Sequence, residues 1–269
     1  MMNADAVYAC PACRGTGFET AAGAMICTGC GARYDLVFGN VPDFAPAPGR
    51  RDSAAHSYTY SYSSRFYEWG RTSVMMQYTT GLSWKEELKL LLQALNLCDG
   101  ARVLDVGCGT GIVARQIAAC RVPAKVWGLD YSYSQLRQAE ALRKKYGLHN
   151  MSLAHGTAAM LPFGDCVFHR ALTVGSMQFY GDIAAFFREA ARVLQPGGRL
   201  VALNYLSPAC KKGGSALIRR VQATAVRHGD HLFDKQELYA LAAGAGLQVT
   251  DFVEKGIVFI MTAARAEES

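Results

Sequence analysis

The stretch RVLDVGCGTGIVARQIA, residues 102–118, decides how the rest of the chain is read. It passes from an apolar, β-branched piece through clustered glycines into a segment of helical spacing, the outline of a strand, a tight loop and a helix. The glycines fall at Gly107, Gly109 and Gly111, completing a D-x-G-x-G-x-G pattern that starts at Asp105. A dinucleotide site spaces its glycines as G-x-G-x-x-G, so that a helix N-terminus receives a pyrophosphate. Here the spacing is tighter, and an acidic residue at the strand's end is a poor neighbour for a diphosphate. The pattern suits a ligand with a positive centre and an ammonium group, approached closely by a backbone that only glycine leaves bare.

Outward from this loop, strand-like and helix-like segments alternate. RVLDVG, KVWGLD, MSLAHG, CVFHRALTV and GRLVALNY read as strands, and helical periodicity is clearest in SQLRQAEALRKKYG and IAAFFREAARVLQPGG. Such βαβ alternation predicts a parallel sheet covered on both faces. After the helix-like DKQELYALAAGAG, the runs LQVTDFVE and KGIVFIMTAA are separated too briefly for a crossover helix. They are expected to form a hairpin, which brings an antiparallel strand into the sheet. Upstream, SWKEELKLLLQAL is an amphipathic helix with Ser83 as N-cap and glutamates in its first turn.

Taken in order, VLDVGCGTG, GLDYS, GTAAMLPF and RVLQPGGRLVALN resemble the motifs of the class I S-adenosylmethionine-dependent methyltransferases, type 11 branch, over about residues 84–264. The resemblance implies an α/β, Rossmann-like, seven-stranded and mostly parallel sheet with a reversed last strand. It implies that the loop of Asp105, Gly107, Gly109 and Gly111 contacts the amino-acid half of S-adenosylmethionine. It places Asp130 on both ribose hydroxyls, Tyr131 against the adenine, and Thr157 and Ala158 in the loop that flanks the adenine. The role of Asp130 also has its own chemical ground, because a carboxylate offers two acceptor oxygens to two vicinal hydroxyls. Thr157 departs from the acidic residue usual at that position in the family.

Four of the nine cysteines, Cys10, Cys13, Cys27 and Cys30, form a C-x2-C-x13-C-x2-C pattern. Two such knuckles present four thiolates and leave no open coordination position, which points to structural zinc. Disulfides or a redox pair are the chemical alternatives. Zinc would supply folding energy that a module this small cannot draw from its own core. The glycine turns and short apolar pieces of residues 1–45 read as a small β zinc ribbon. RYDLVFGNVPDF resembles the tail of ribbons fused to methyltransferases. Those ribbons occur in bacterial ribosomal-RNA guanine methyltransferases and in a group from bacteria and plastids, and RFYEWGR and LDYSYSQLRQAEAL look more like the second group. The remaining cysteines, Cys98, Cys108, Cys120, Cys166 and Cys210, are expected to be buried small hydrophobes. Residues 46–83 read as a linker and aromatic cap, and residues 84–269 as the methyltransferase domain, with a basic insertion at 211–231.

The chain carries a net charge of +6, but residues 1–45 contribute −2, so the basic character belongs to the larger part. Lys211, Lys212, Arg219, Arg220 and Arg227 fall together without an acid between them. They form either a solvated face or a surface for an anionic partner, RNA or a carrier protein. Methyl transfer needs a base only when the nucleophile arrives protonated. His155, His231 and Tyr180 are the candidates, and the aromatic residues 58–69 and the loop TVGSMQFYGD are candidate substrate-facing elements. The acidic ribbon and the lack of an NPPY-like motif argue against a nucleic-acid base as acceptor. The expected activity is in-line methyl transfer to a small molecule. A ribosomal-RNA base methyltransferase and a non-catalytic cofactor-binding scaffold are the alternatives. No apolar run approaches the roughly 18 residues of a membrane span. The N-terminus lacks the marks of a secretory signal, so a soluble, cytoplasmic chain without membrane insertion is expected.

Overall fold

A computed structural model describes residues 7–45, 68, 72, 81–207 and 231–267. The strand that leads into the glycine loop, β5 (Ala101–Val106), lies inside a seven-stranded sheet. The four-stranded ribbon sheet before it consists of β1 (Phe18–Ala21), β2 (Ala24–Cys27), β3 (Arg33–Val37) and β4 (Val41–Pro42). The large sheet adds β6 (Ala124–Asp130), β7 (Met151–His155), β8 (Phe168–Val174), β9 (Leu194–Tyr205), β10 (Leu247–Lys255) and β11 (Val258–Arg265). Its order is β10-β11-β9-β8-β5-β6-β7. The pairs from β9 to β7 are parallel, whereas β11 runs antiparallel to both β9 and β10. The expected fold class, with its reversed last strand, is therefore the one observed. Gly256, at φ +57°, takes the left-handed conformation in the tight turn between β10 and β11.

Apart from the edge strand β10, which is largely exposed or half-buried, the strands of the large sheet are mostly buried on both faces because helices cover both. Leu104 and Val106 of β5 point into one core with Phe186, Phe187 and Leu238, while Ala101 and Val103 point into the other with Leu91, Ile117 and Leu136. These side chains come from α1 (Trp84–Leu95), α2 (Ile112–Ala118), α3 (Tyr133–Lys145), α4 (Ile183–Val193) and α5 (Lys235–Gly244). Ser83 caps α1 in a full capping box with Glu86, and Asp234 does the same for α5 with Glu237. The helical reading of RVLQPGG stops early. Leu194 already has ψ 140°, and two residues on Pro196 keeps Gln195 out of helical geometry and cannot donate a helical hydrogen bond, so the helix cannot resume. Of the isolated cysteines among the described residues, only Cys108 is buried. Cys98 is exposed in the turn after α1, Cys120 and Cys166 are half-buried, and Cys210 lies outside the described residues.

The ribbon is not a loose appendage. Tyr8 pairs with Phe163 and Asp43 with His155, so the ribbon covers the otherwise open edge of the large sheet at β7. Val7, Met25 and Phe44 belong to the same hydrophobic core as Trp127, Phe163 and Phe168. The rings of Tyr8 and Phe44 lie 5.3 Å apart, and Tyr8 stacks on Phe163 at 5.5 Å.

Candidate functional site

The chain runs from β5 to β6 and β7 on one side, then returns to place β8 on the other side of β5. Such a reversal opens a crevice beyond the C-terminal strand ends, where open α/β sheets bind ligands. The glycine loop lies there. Its three glycines all have left-handed φ, +70° at Gly107, +56° at Gly109 and +75° at Gly111. Backbone N–H groups of Gly107 and Cys108 donate to the Leu129 carbonyl at 2.7 and 3.0 Å, tying the loop to the end of β6.

The glycines differ in what surrounds them. A Cβ on Gly107 would lie 2.6 Å from Ser176 Cβ and 2.8 Å from the Tyr180 hydroxyl. One on Gly111 would lie 2.9 Å from Met151 Cε. One on Gly109 would meet nothing within 4 Å. The loop is thus walled at both ends and open in the middle. Beside the opening, Asp130 accepts from Gly109 N–H at 2.7 Å and from Ser132 N–H at 2.8 Å, one bond to each carboxylate oxygen. Each oxygen keeps a second lone pair for a further donor. Burial raises the Asp130 pKa, and these backbone amides oppose the rise. Asp105 is 2% exposed at the end of β5. The hydroxyl of Thr110, inside the loop, is buried with no hydrogen-bond partner among the described residues.

Tyr180 follows a short 3-10 turn (Met177–Phe179) and reaches back beneath the loop. Its hydroxyl lies 2.9 Å from the Val106 carbonyl, 2.8 Å from Thr173 Oγ1 and 3.0 Å from Ser176 Oγ. Burial pushes its pKa well above the usual phenol value, so the hydroxyl stays protonated and is a donor to Val106. Thr157 and Ala158 are half-buried in the turn after β7, where Met160 N–H meets the Thr157 carbonyl at 3.4 Å.

His155 is 4% exposed, with Nδ1 2.5 Å from Asp43 Oδ1 and Nε2 2.8 Å from the Tyr131 carbonyl. The Tyr131 ring stacks on the imidazole at 5.6 Å, and the Tyr133 ring lies 4.1 Å from it. Both ring nitrogens are engaged within the protein. His231 binds Glu237 Oε1 at 2.8 Å and packs on Phe233, which ties it to the start of α5. The structure therefore gathers Gly107, Gly109, Gly111, Asp130 and Tyr180 at the crevice, with Tyr131 and His155 adjoining. It leaves His231 on a separate element. Sequence reasoning passed over Asp43 and took Thr173 and Ser176 only as part of a substrate-facing loop, because the contacts that give Asp43 and Ser176 their place, to His155 and to the Val106 carbonyl, join residues distant in sequence.

The four ribbon cysteines bring their sulfurs within 4.8 Å of one another. Cys10 and Cys30 Sγ are 3.6 Å apart, as are Cys13 and Cys27 Sγ, each pair taking one sulfur from each knuckle. Tetrahedral zinc, with bonds of ~2.3 Å, needs sulfurs ~3.8 Å apart, so the cluster fits a metal of that size. The knuckles share one hydrogen-bond pattern. Arg14 N–H bonds to the Cys10 carbonyl and Gly31 N–H to the Cys27 carbonyl, at 2.7 and 2.8 Å. Tyr34 places its hydroxyl 3.0 Å from Cys10 Sγ, an outer-shell contact to the cluster.

The aromatic residues of segment 58–69 lie outside the described residues; of that segment only Glu68 is described, and it pairs with Arg115 of α2 at 2.6 Å. Lys211, Lys212, Arg219, Arg220 and Arg227 also lie outside them. Among the described residues no helix is long and apolar enough to cross a membrane.

Sheet order, switch-point loop and the carboxylate at the next strand end together define a Rossmann-like fold with a crevice at its switch point. Residues 103–198 match the family model described as a methyltransferase domain. Demethylmenaquinone methyltransferase of Geobacillus stearothermophilus is 32% identical over 139 residues, 51% of this chain and 58% of that enzyme. The chain thus spans little more than half the length of the curated relatives it matches. Among solved structures, phosphoethanolamine N-methyltransferase 2 of Haemonchus contortus, in complex with S-adenosyl-L-methionine, superposes with a TM-score of 0.66 at 17% identity, over 84% of this chain and 62% of that one. The [4+2]-cyclase SpnF superposes with a TM-score of 0.59 at 20% identity, over 68% and 80%.

Proposed function

We propose that this chain is an S-adenosylmethionine-dependent methyltransferase acting on a small molecule, with structural zinc in its ribbon. The observation that carries the reading is the open face at Gly109 beside Asp130, set at the switch point of the sheet. Residues fit the cofactor part by part. Asp130 has acceptor capacity for the ribose hydroxyls, and bare backbone at Gly109 admits the amino-acid half. Tyr131 and the turn of Thr157 and Ala158 supply the flank for the adenine. When bound, the cofactor supplies an already activated sulfonium methyl group.

The protein's own contribution is alignment and the exclusion of competing geometries. Tyr180, Ser176 and Thr173 hold the end of β5 in place through the Val106 carbonyl. A tyrosine kept protonated by burial serves as a hydrogen-bond donor rather than a base. His155, with both nitrogens engaged, is a positioning residue. His231 contacts α5 and stays a candidate base only for a substrate that reaches that element.

The small-molecule reading is supported by similarity to a demethylmenaquinone methyltransferase and a phosphoethanolamine N-methyltransferase. The ribbon's acidic balance and the engagement of Arg14 with Glu189 argue against phosphate gripping by that module. The absence of a spanning helix among the described residues is compatible with a cytoplasmic location. The fold alone does not give methyl transfer, since a cyclase shares it. Calorimetric titration with S-adenosylhomocysteine should show one molecule bound per chain. Asp130→Ala should weaken that binding at least tenfold, and an unchanged affinity would overturn the ribose assignment. Steep salt-dependent binding to ribosomal-RNA fragments would replace the small-molecule reading with the RNA one.

A further inference from the structure

We propose that the four-cysteine module is a positioning clamp on the nucleoside site, so that metal loading sets cofactor affinity. This rests on the methyltransferase reading above. The segment at issue, residues 155–164, leaves the end of β7 and contains the turn of Thr157 and Ala158 that is assigned to the adenine.

Both ends of the ribbon hold this segment. At one end, Phe44 N–H donates to the His155 carbonyl at 2.8 Å, and Asp43 binds His155 Nδ1. His155 passes the constraint on through Nε2 to the Tyr131 carbonyl, and Gly156 N–H donates to the Asp130 carbonyl at 3.1 Å. Asp43 also takes the hydroxyl of Tyr133, whose ring lies over the same imidazole. At the other end, Ala9 N–H donates to the Pro162 carbonyl at 3.1 Å, and Gly164 N–H to the Val7 carbonyl at 2.9 Å.

The metal cluster ties these two ends together. Cys10 directly follows Ala9, and Cys27 and Cys30 lead into β3, whose Asp35 carbonyl accepts from Asp43 N–H at 2.9 Å. Arg14, in the first knuckle, adds a third strap, reaching the Leu161 carbonyl at 3.3 Å and Glu189 at 3.3 Å. Its backbone sits at φ +63°, where the second knuckle has glycine, Gly31 at φ +74°. A non-glycine residue in that conformation is strained. The straps formed by its side chain give a reason for arginine at this position.

Once the metal is lost, four unbridged thiols no longer hold residue 10 against the β2–β3 unit, and the segment loses its backing on both sides. The consequence falls on nucleoside binding because Asp130 and Tyr131 share hydrogen bonds with this same segment.

The test is titration of S-adenosylhomocysteine into full-length protein, with zinc content measured on each sample. Zinc-loaded wild type should bind it, and chelated wild type at least tenfold more weakly. Asp43→Ala keeps all four cysteines, so it should retain its zinc yet bind at least fivefold more weakly. Asp43→Asn keeps an acceptor for His155 and should recover binding to within twofold of wild type, a rescue that loss of general stability would not produce. Because Asp43→Ala is read with zinc in place, it decides the matter even if chelation unfolds the chain. Equal affinity in wild type and zinc-loaded Asp43→Ala would overturn the clamp while leaving the methyltransferase reading intact. Failure of zinc-loaded wild type to bind at all would overturn that reading and the clamp with it.

Discussion

Gly107 and Gly109 share one backbone conformation but face different surroundings, and that difference separates folding from binding. At either position an alanine carries the cost of a left-handed residue, roughly 1–2 kcal/mol. At Gly107 the new Cβ also collides with Ser176 and the buried Tyr180 hydroxyl. At Gly109 it enters empty space, the same space assigned to the cofactor. Gly107→Ala should therefore show the larger loss of thermal stability. Gly109→Ala should keep most of its stability and lose at least tenfold in S-adenosylhomocysteine affinity. Thermal melts and titrations on both variants check this, and the reverse ranking would place the open face of the loop elsewhere. The glycines themselves were legible in sequence because a left-handed φ is a local demand. What each glycine faces was not, because Ser176 and Tyr180 reach the loop from a turn almost seventy residues further along.

Among the elements, α4 does more than cover the sheet. Its Glu189 accepts Leu161 N–H at 2.8 Å and takes a forked bond from Arg192, with both contacts at 2.8 Å, besides holding Arg14. Burial alone would raise the Glu189 pKa, but Arg192, Leu161 N–H and Arg14 outweigh it and hold the carboxyl below its ordinary value. A carboxylate with a lowered folded-state pKa contributes stability above its unfolded value of 4.5, and that stability is lost as pH falls through the folded value. Glu189→Gln should cost about 1.5–3 kcal/mol at pH 7, the range for hydrogen bonds to charged groups. The difference from wild type should shrink as pH drops below that unfolded value. Urea unfolding of both proteins across the acid range measures it, and a pH-independent difference would mean that packing, not charge, holds Glu189. The elements themselves were readable from periodicity and caps, as Ser83 and Asp234 show. Periodicity overran the end of α4, where the restriction imposed by Pro196 takes precedence over a helical pattern.

At the scale of the whole molecule, the two sheets share one core, and this the sequence did not disclose. The spacing of Cys10, Cys13, Cys27 and Cys30 announces a self-contained module, since metal knuckles are local in sequence. The aromatic residues that fuse the module to the large sheet carry no pattern of their own. Phe44 is 3% exposed and touches Tyr8, Phe18 and Tyr34 within the ribbon, while Tyr8 carries the packing on to Phe163. A ribbon packed this way cannot unfold without exposing the apolar surface of residues 161–168 that it covers, so the parts should melt together. Scanning calorimetry of the zinc-loaded chain should show one transition with matching calorimetric and van't Hoff enthalpies. Phe44→Ala removes the ring at the centre of the junction. Such truncations cost about 3–5 kcal/mol, and each kcal/mol lowers Tm by about 2–4 °C in a chain of this size. If the junction is the source of cooperativity, Phe44→Ala should lower Tm by about 6–20 °C on those scales and split the melt, with the ribbon leaving first and its zinc released at the lower step. Two separate transitions already present in wild type would show that ribbon and sheet are independent units, and that the continuous aromatic packing between them contributes little to the stability of either.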